Sequence, residues 1–91
     1  MISIAIGCDE AGCAFRDAIK EMLIAKGYEV EDFGTFDDKP VLYPDIAVAV
    51  AQSIKEGRHQ RGILICGTGI GMCITANKVP GIRPAVCHDP F

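Results

Sequence analysis

Hydrophobic positions change their period along this chain, and the changes mark the elements. Ile2-Ser3-Ile4-Ala5-Ile6 alternates too little for a strand with one wet face; it reads as a buried parallel strand ending at Gly7-Cys8-Asp9-Glu10-Ala11-Gly12. Phe15, Ile19, Met22 and Leu23 then fall at i, i+4, i+7 and i+8. They predict a helix whose apolar stripe enters the core, with Arg16, Asp17, Lys20 and Glu21 off it and Gly27 as its stop. Tyr28-Glu29-Val30-Glu31-Asp32-Phe33 alternates like an edge strand, and residues 34–40 form a polar loop. Pro44 and Asp45 open a second helix over Ile46 to Lys55, with Ile46, Val50 and Ile54 on one face and Gly57 closing it. Gly62 to Cys66 is a third strand, which runs directly into the glycines of residues 67–71. A short helix is expected over Met72 to Lys78, a turn at Pro80-Gly81, and a fourth strand over Arg83 to Cys87.

Strict alternation of strand and helix predicts a doubly wound, Rossmann-like α/β fold: three layers (α/β/α), with a parallel sheet of four strands. Ligands of such folds bind at the carboxyl ends of strands where the winding reverses. If the first and third strands are neighbours, that crevice brings Asp9 and Cys66 together.

Composition narrows the partners. With 91 residues, 49% hydrophobic and 23% charged, the chain reads as one ordered domain over 1–91. A net charge of -3 without any Lys/Arg cluster argues against nucleic acid, and no apolar run near the roughly 18 residues of a membrane span occurs. No secretory leader pattern follows Met1, so a cytoplasmic protein is expected. Five cysteines form no C-x-x-C pair and suit reduced thiols better than a disulfide framework. Cys87 with His88, and Cys8 with Asp9, lack metal-site spacing, so no metal is expected.

The chemistry concentrates at Cys66-Gly67-Thr68-Gly69-Ile70-Gly71. Glycines let backbone N–H groups approach a ligand, and a following helix would aim its positive end at an anion. A dinucleotide fingerprint is absent because the third spacing of Gly67/Gly69/Gly71 is wrong, and a Walker loop would need Lys-Ser/Thr where Cys13-Ala14 stand. Each residue also has a plain reading. A strand-end cysteine is commonly a small buried hydrophobe, Asp9 is a ready helix cap, Thr68 suits a turn, and Tyr43 suits a half-buried ring before proline.

Ile4-Ala5-Ile6-Gly7-Cys8-Asp9 with Ala11-Gly12, Lys26-Gly27-Tyr28-Glu29-Val30, Gly34-Thr35, Tyr43-Pro44, Arg61 to Gly71, and Ala76-Asn77-Lys78-Val79-Pro80-Gly81-Ile82-Arg83 tilt these choices. Together they resemble the ribose-5-phosphate isomerase B family, which includes the galactose-6-phosphate isomerase subunits. The resemblance implies cofactor-free aldose–ketose isomerisation of a sugar phosphate through a cis-enediolate. Cys66 would be the base, its thiol acidified by the loop amides and the helix N-terminus. The backbone of Gly67, Thr68, Gly69, Ile70 and Gly71 would hold the enediolate oxygen. Thr68 and Asp9 would open the ring and hold hydroxyls, and Tyr43 would line the pocket. It also implies a homodimer or higher homo-oligomer, because family sites lie between subunits.

Two departures qualify the substrate. Glu10 stands where ribose-5-phosphate enzymes usually carry a histidine associated with the phosphate; the A subunit of galactose-6-phosphate isomerase looks similar here. Family members also continue past the His88-Asp89-Pro90-Phe91 block with a segment that carries the ring-opening histidine and the phosphate-binding arginines, so the domain reads as C-terminally incomplete. Ribose 5-phosphate is the first expectation and a hexose 6-phosphate, galactose or allose, the second. A non-catalytic sugar-phosphate-binding subunit and a thiol-redox protein using Cys66 with Cys8 or Cys73 are the readings from other classes.

Overall fold

The computed structural model describes residues 2–66 in full and residues 71–79 and 81–88 as backbone. In chain order the elements are β1 (Ser3–Cys8), a 3-10 turn (Glu10–Gly12), α1 (Cys13–Ala25), β2 (Glu29–Asp32), α2 (Tyr43–Lys55), β3 (Arg61–Cys66), β4 (Gly71–Val79) and β5 (Gly81–His88). They form one sheet in the order β2-β1-β3-β4-β5. β1 lies parallel to both neighbours, with Ile4 opposite Val30 and Ile6 opposite Ile63.

Alternate residues of a strand point to opposite faces, so β1 feeds two cores. Ile4, Ile6 and Cys8 pack with Ile63, Ile65 and Leu23 of α1 on one face. Ala5 packs with Ile46, Val50 and Ile54 of α2 on the other, joined by Leu64 and Phe33. Ile6 and Ile54 have no exposed surface; burying a side chain of that size contributes about 1.5–3 kcal/mol. Gly7 sets the approach of α2 to β1, because a Cβ there would collide with Ile46 Cγ2. The result is a three-layer α/β/α fold around a parallel sheet, doubly wound as the alternation of elements predicts.

The sheet corrects that prediction in its second half. Three strands are parallel, not four, and the segment expected as a helix over Met72 to Lys78 is β4, antiparallel to β3 and joined to an antiparallel β5. The pattern over seven residues was too short to decide between periods. Ile74 and Thr75 are stiff at χ1 and favour extended backbone. The edge of β3 offers a partner for every residue from Arg61, opposite Ala76, to Cys66, opposite Gly71. Pro84 falls in β5, at the sheet's edge, where a strand tolerates a residue without an N–H.

α1 carries a second correction. Phe15 and Met22, expected in the core, are 37% and 47% exposed, whereas Arg16 is 5% exposed. The helix turns a Cys13–Arg16–Ile19–Leu23 face to the sheet, at i, i+3, i+6 and i+10. A pattern that counts arginine as polar cannot see that face, because the long aliphatic stem packs like a hydrophobe. α2 begins three residues earlier than expected, at Tyr43, with Pro44 in its first turn.

Candidate active site

The reversal of winding between α1 and α2 makes β1 and β3 neighbours and runs both out at the same end of the sheet. Asp9, the first residue past β1, donates its backbone N–H to the Ile65 carbonyl at 3.1 Å, so the two strand ends are tied together. Its Oδ1 accepts from the Gly12 N–H at 2.8 Å, capping the 3-10 turn that leads into α1. The capping role expected of Asp9 is present, and the cap holds the turn that presents Glu10. Cys66 is the last residue of β3, half-buried, one step beyond the Ile65 that pairs with Cys8.

An open cleft of about 280 Å³ lies at this end, lined by Asp9, Glu10, Ala11, Val41, Leu42 and Tyr43. Three of the expected site residues, Asp9, Glu10 and Tyr43, therefore share one wall-to-wall space. Tyr43 gets there as the first residue of α2, and Glu10 as the first residue of the 3-10 turn. Gly67, Thr68, Gly69 and Ile70 lie outside the described residues. Gly71 opens β4 opposite Cys66, so the helix N-terminus expected after the glycines is instead the start of a strand.

Beneath Asp9, Cys8 is fully buried, with its sulfur 3.5 Å from that of Cys13. Burial, and then the contact with Cys13, push the Cys8 thiol up to about 12. A thiol so held stays protonated at neutral pH and is a poor partner for thiol exchange. The redox reading that pairs Cys66 with Cys8 loses its footing. Among the described residues no group of three His, Cys, Asp or Glu is placed to hold a metal. No helix among them is long and apolar enough to cross a membrane.

The polar neighbourhood that sequence reasoning missed is that of Arg16. Its Nη1 donates to the Thr35 carbonyl at 2.8 Å and its Nε to Asp17 at 2.9 Å, with Asp32 3.4 Å away. Burial is the largest single influence and opposes the charge, but Asp32, Cys8 and Asp17 together outweigh it and hold the guanidinium above its ordinary range. Thr35, buried in the loop after β2, accepts at Oγ1 from the Val41 N–H at 2.8 Å. Val41 and Leu42, which wall the cleft, are 44% and 74% exposed and sit just after a loop read only as polar. An apolar stripe that counts the arginine stem contains Arg16, and Thr35 falls in the Gly34-Thr35 motif; no sequence signal marks Val41 and Leu42.

A profile of the Ribose/Galactose Isomerase family matches residues 4–91. The chain is 53% identical over 94 residues to D-erythrulose-4-phosphate isomerase of Pectobacterium atrosepticum, which covers 100% of this chain and 60% of that protein. It is 52% identical over 90 residues to Ribose-5-P isomerase B of Listeria innocua, covering 99% and 61% respectively. The crystal structure of a ribose 5-phosphate isomerase from Thermotoga maritima aligns at a TM-score of 0.69 and 45% identity, over 76% of this chain and 48% of that one. The chain thus spans about three-fifths of the length of these curated relatives. By motif, fold and whole-length similarity, this chain belongs to the Ribose/Galactose Isomerase family.

Proposed function

We propose that the chain is the Cys66-bearing domain of a cofactor-free aldose–ketose isomerase acting on a sugar phosphate, with ribose 5-phosphate and ribulose 5-phosphate as the first substrate pair. The observation that supports the reading is the Asp9 N–H to Ile65 carbonyl tie between the ends of β1 and β3, which sets Asp9, a lining residue of the cleft, beside the strand that ends in Cys66; Cys66 itself is not among the cleft's lining residues. In the proposed reaction the Cys66 thiolate takes the proton from C2 of the open-chain aldose. The electron pair moves into the C1–C2 bond and the carbonyl oxygen becomes the enediolate oxygen. The thiol then returns the proton to C1, while a hydroxyl proton passes from O2 to O1. No electrons leave the sugar, so no redox cofactor is required. Backbone N–H groups of Gly67 to Gly71 hold the enediolate oxygen, and one well-placed donor in such a site is worth about 3–4 kcal/mol. Thr68 and Asp9 hold hydroxyls and assist ring opening, and Tyr43 closes the side of the cleft. The protein works as a homodimer or higher oligomer in the cytoplasm.

A second reading keeps the chemistry and changes the sugar. It is favoured by Glu10 in the cleft, since a carboxylate repels a phosphate brought to that wall, and by the 53% identity to a protein named for D-erythrulose 4-phosphate. Galactose 6-phosphate and allose 6-phosphate belong to the same alternative. The test is NMR in deuterated water with ribose 5-phosphate, D-erythrulose 4-phosphate, galactose 6-phosphate and allose 6-phosphate. Deuterium entering at the carbon beside the carbonyl, with formation of the isomeric sugar, identifies the substrate. A folded sample that binds one of these sugars without exchange assigns the chain to binding rather than turnover.

A further inference from the structure

We infer that Arg16 is the positioning residue of the cleft, fixing its Val41–Tyr43 wall through Thr35. This rests on the reading that the cleft takes a sugar phosphate only in its kinetic arm; the structural arm stands alone. Arg16 sits on the sheet-facing side of α1, away from the cleft lining, and its side chain is 7% exposed. Its guanidinium reaches three partners through Nη1 and Nε: Nη1 to the Thr35 carbonyl, Nε to Asp17, both to Asp32, with the Phe36 ring 5.3 Å away. Asp32 in turn accepts from the Gly34 N–H at 2.9 Å and pairs with Lys20.

Every contact on the loop side of that fork falls in residues 32–36, and these are stitched to β1 immediately before Asp9. Cys8 N–H donates to Gly34 O at 2.6 Å, and Thr35 N–H donates to Cys8 O at 3.0 Å. From Thr35 the chain runs through exposed residues 37–40 and is caught again at Val41, whose N–H bonds Thr35 Oγ1. The wall therefore takes its position from Thr35, and Thr35 is held jointly by β1 and Arg16.

A buried ion pair is an expensive way to fill a helix face, and an apolar residue there would generally be as stable or more so. What arginine supplies and an apolar residue does not is a rigid fork that reaches a carboxylate and a carbonyl at once. In a cleft of about 280 Å³, a displacement of about 1 Å in one wall is enough to change how a small substrate is held.

The experiment compares wild type with Arg16→Lys, which keeps the charge opposite Asp32 but loses the fork. A second variant, Thr35→Val, keeps Arg16 and removes only the Oγ1 acceptor. Amide hydrogen exchange is read at Val41, with Ile6 of β1 and Ile63 of β3 as internal references. The expected result is exchange at least about 10-fold faster at Val41 in both variants, with Ile6 and Ile63 unchanged. In turnover of ribose 5-phosphate, or of whichever sugar phosphate the wild type converts, KM rises about 5- to 10-fold and kcat stays within about 2-fold. Unchanged Val41 exchange in Thr35→Val and Arg16→Lys overturns the inference. So does acceleration of Val41, Ile6 and Ile63 alike, or a fall in kcat at constant KM. Should Arg16→Lys fail to fold, Thr35→Val and the exchange pattern still decide. Should the wild type convert none of the sugars, the proposed function fails while the exchange result still stands or falls by itself.

Discussion

Two clefts of nearly equal size open at opposite ends of the parallel strands, and they are chemically unlike. The one at the carboxyl ends, about 280 Å³, is lined by Asp9, Glu10 and Tyr43; the one at the amino ends, about 250 Å³, is lined by Ser3, Glu29, Val30, Glu31, Arg58 and His59. Volume does not distinguish them. At the amino ends two of the lining groups are paired: His59 Nε2 lies 2.6 Å from Glu31, and Arg58 pairs with Glu56 outside the cleft. His59 is also packed edge-on against Phe33, and its Nδ1 is buried without a partner, in a setting that holds the ring as part of the core. At the carboxyl ends β1 and β3 run out side by side, and Asp9, Glu10 and Tyr43 border open space. The contrast teaches that the direction of parallel strands, more than the presence of a histidine or a hollow, marks the end of such a sheet at which a ligand site is to be sought.

Substitutions at the two ends should separate accordingly. Cys66→Ser is expected to lower turnover by about 100-fold or more, the share usually carried by a positioned base, with KM little changed; steady-state kinetics with turnover equal to wild type would refute the thiolate-base assignment. Asp9→Ala removes both the cap on the 3-10 turn and the proposed hydroxyl contact. It should cost about 0.5–2 kcal/mol in a urea titration and about 10-fold in turnover. A stability loss with full activity would confine Asp9 to structure.

A pH titration probes the layer beneath Asp9. The Cys8 thiol ionises near its ordinary 9.0 in the unfolded chain and at about 12 in the folded one. The folded state then holds this proton more tightly between those values, so its contribution is whole below pH 9 and is lost as pH rises toward 12. Thermal melts of wild type should therefore fall more steeply over pH 9–11 than those of Cys8→Ala; parallel curves would mean that the thiol ionises alike in both states. The smallest effect belongs to the opposite end. Glu31→Gln weakens a pair in which Glu31 is 54% exposed, and exposed pairs are worth about 0.2–1 kcal/mol, so a small drop in melting temperature with turnover within about 2-fold is expected. A large loss of turnover there would break the comparison between the two ends.

How much of this was legible beforehand follows from what each segment asks of its residues. β1, β3 and α2 declare themselves because burial on two faces, or on one helical stripe, demands continuous or periodic apolar residues. Asp9 was legible locally as a strand-end cap, but the place of Asp9, Glu10 and Tyr43 in a site was legible only through the family resemblance; the topology brings the three to one cleft. The face of α1 was not, since a buried Arg16 with carboxylate and carbonyl partners from other elements looks polar in any one-dimensional pattern. Residues 72–78 were misread because a seven-residue stretch containing Ile74 and Thr75 takes its conformation from the edge it meets, which no local period records. Val41 and Leu42 were hidden for a related reason: their place in the wall is set by Thr35, six and seven residues away.

The position of Tyr43 has an optical consequence. The chain has no tryptophan and two tyrosines, so its near-ultraviolet emission comes from two phenols alone. Tyr28 is packed among the residues under α1, at the start of β2, while Tyr43 lines the cleft between Asp9 and Leu42. Replacing Tyr28 with phenylalanine would leave a single native fluorophore at the mouth of the cleft, and the arrival of any ligand could then be followed without a label.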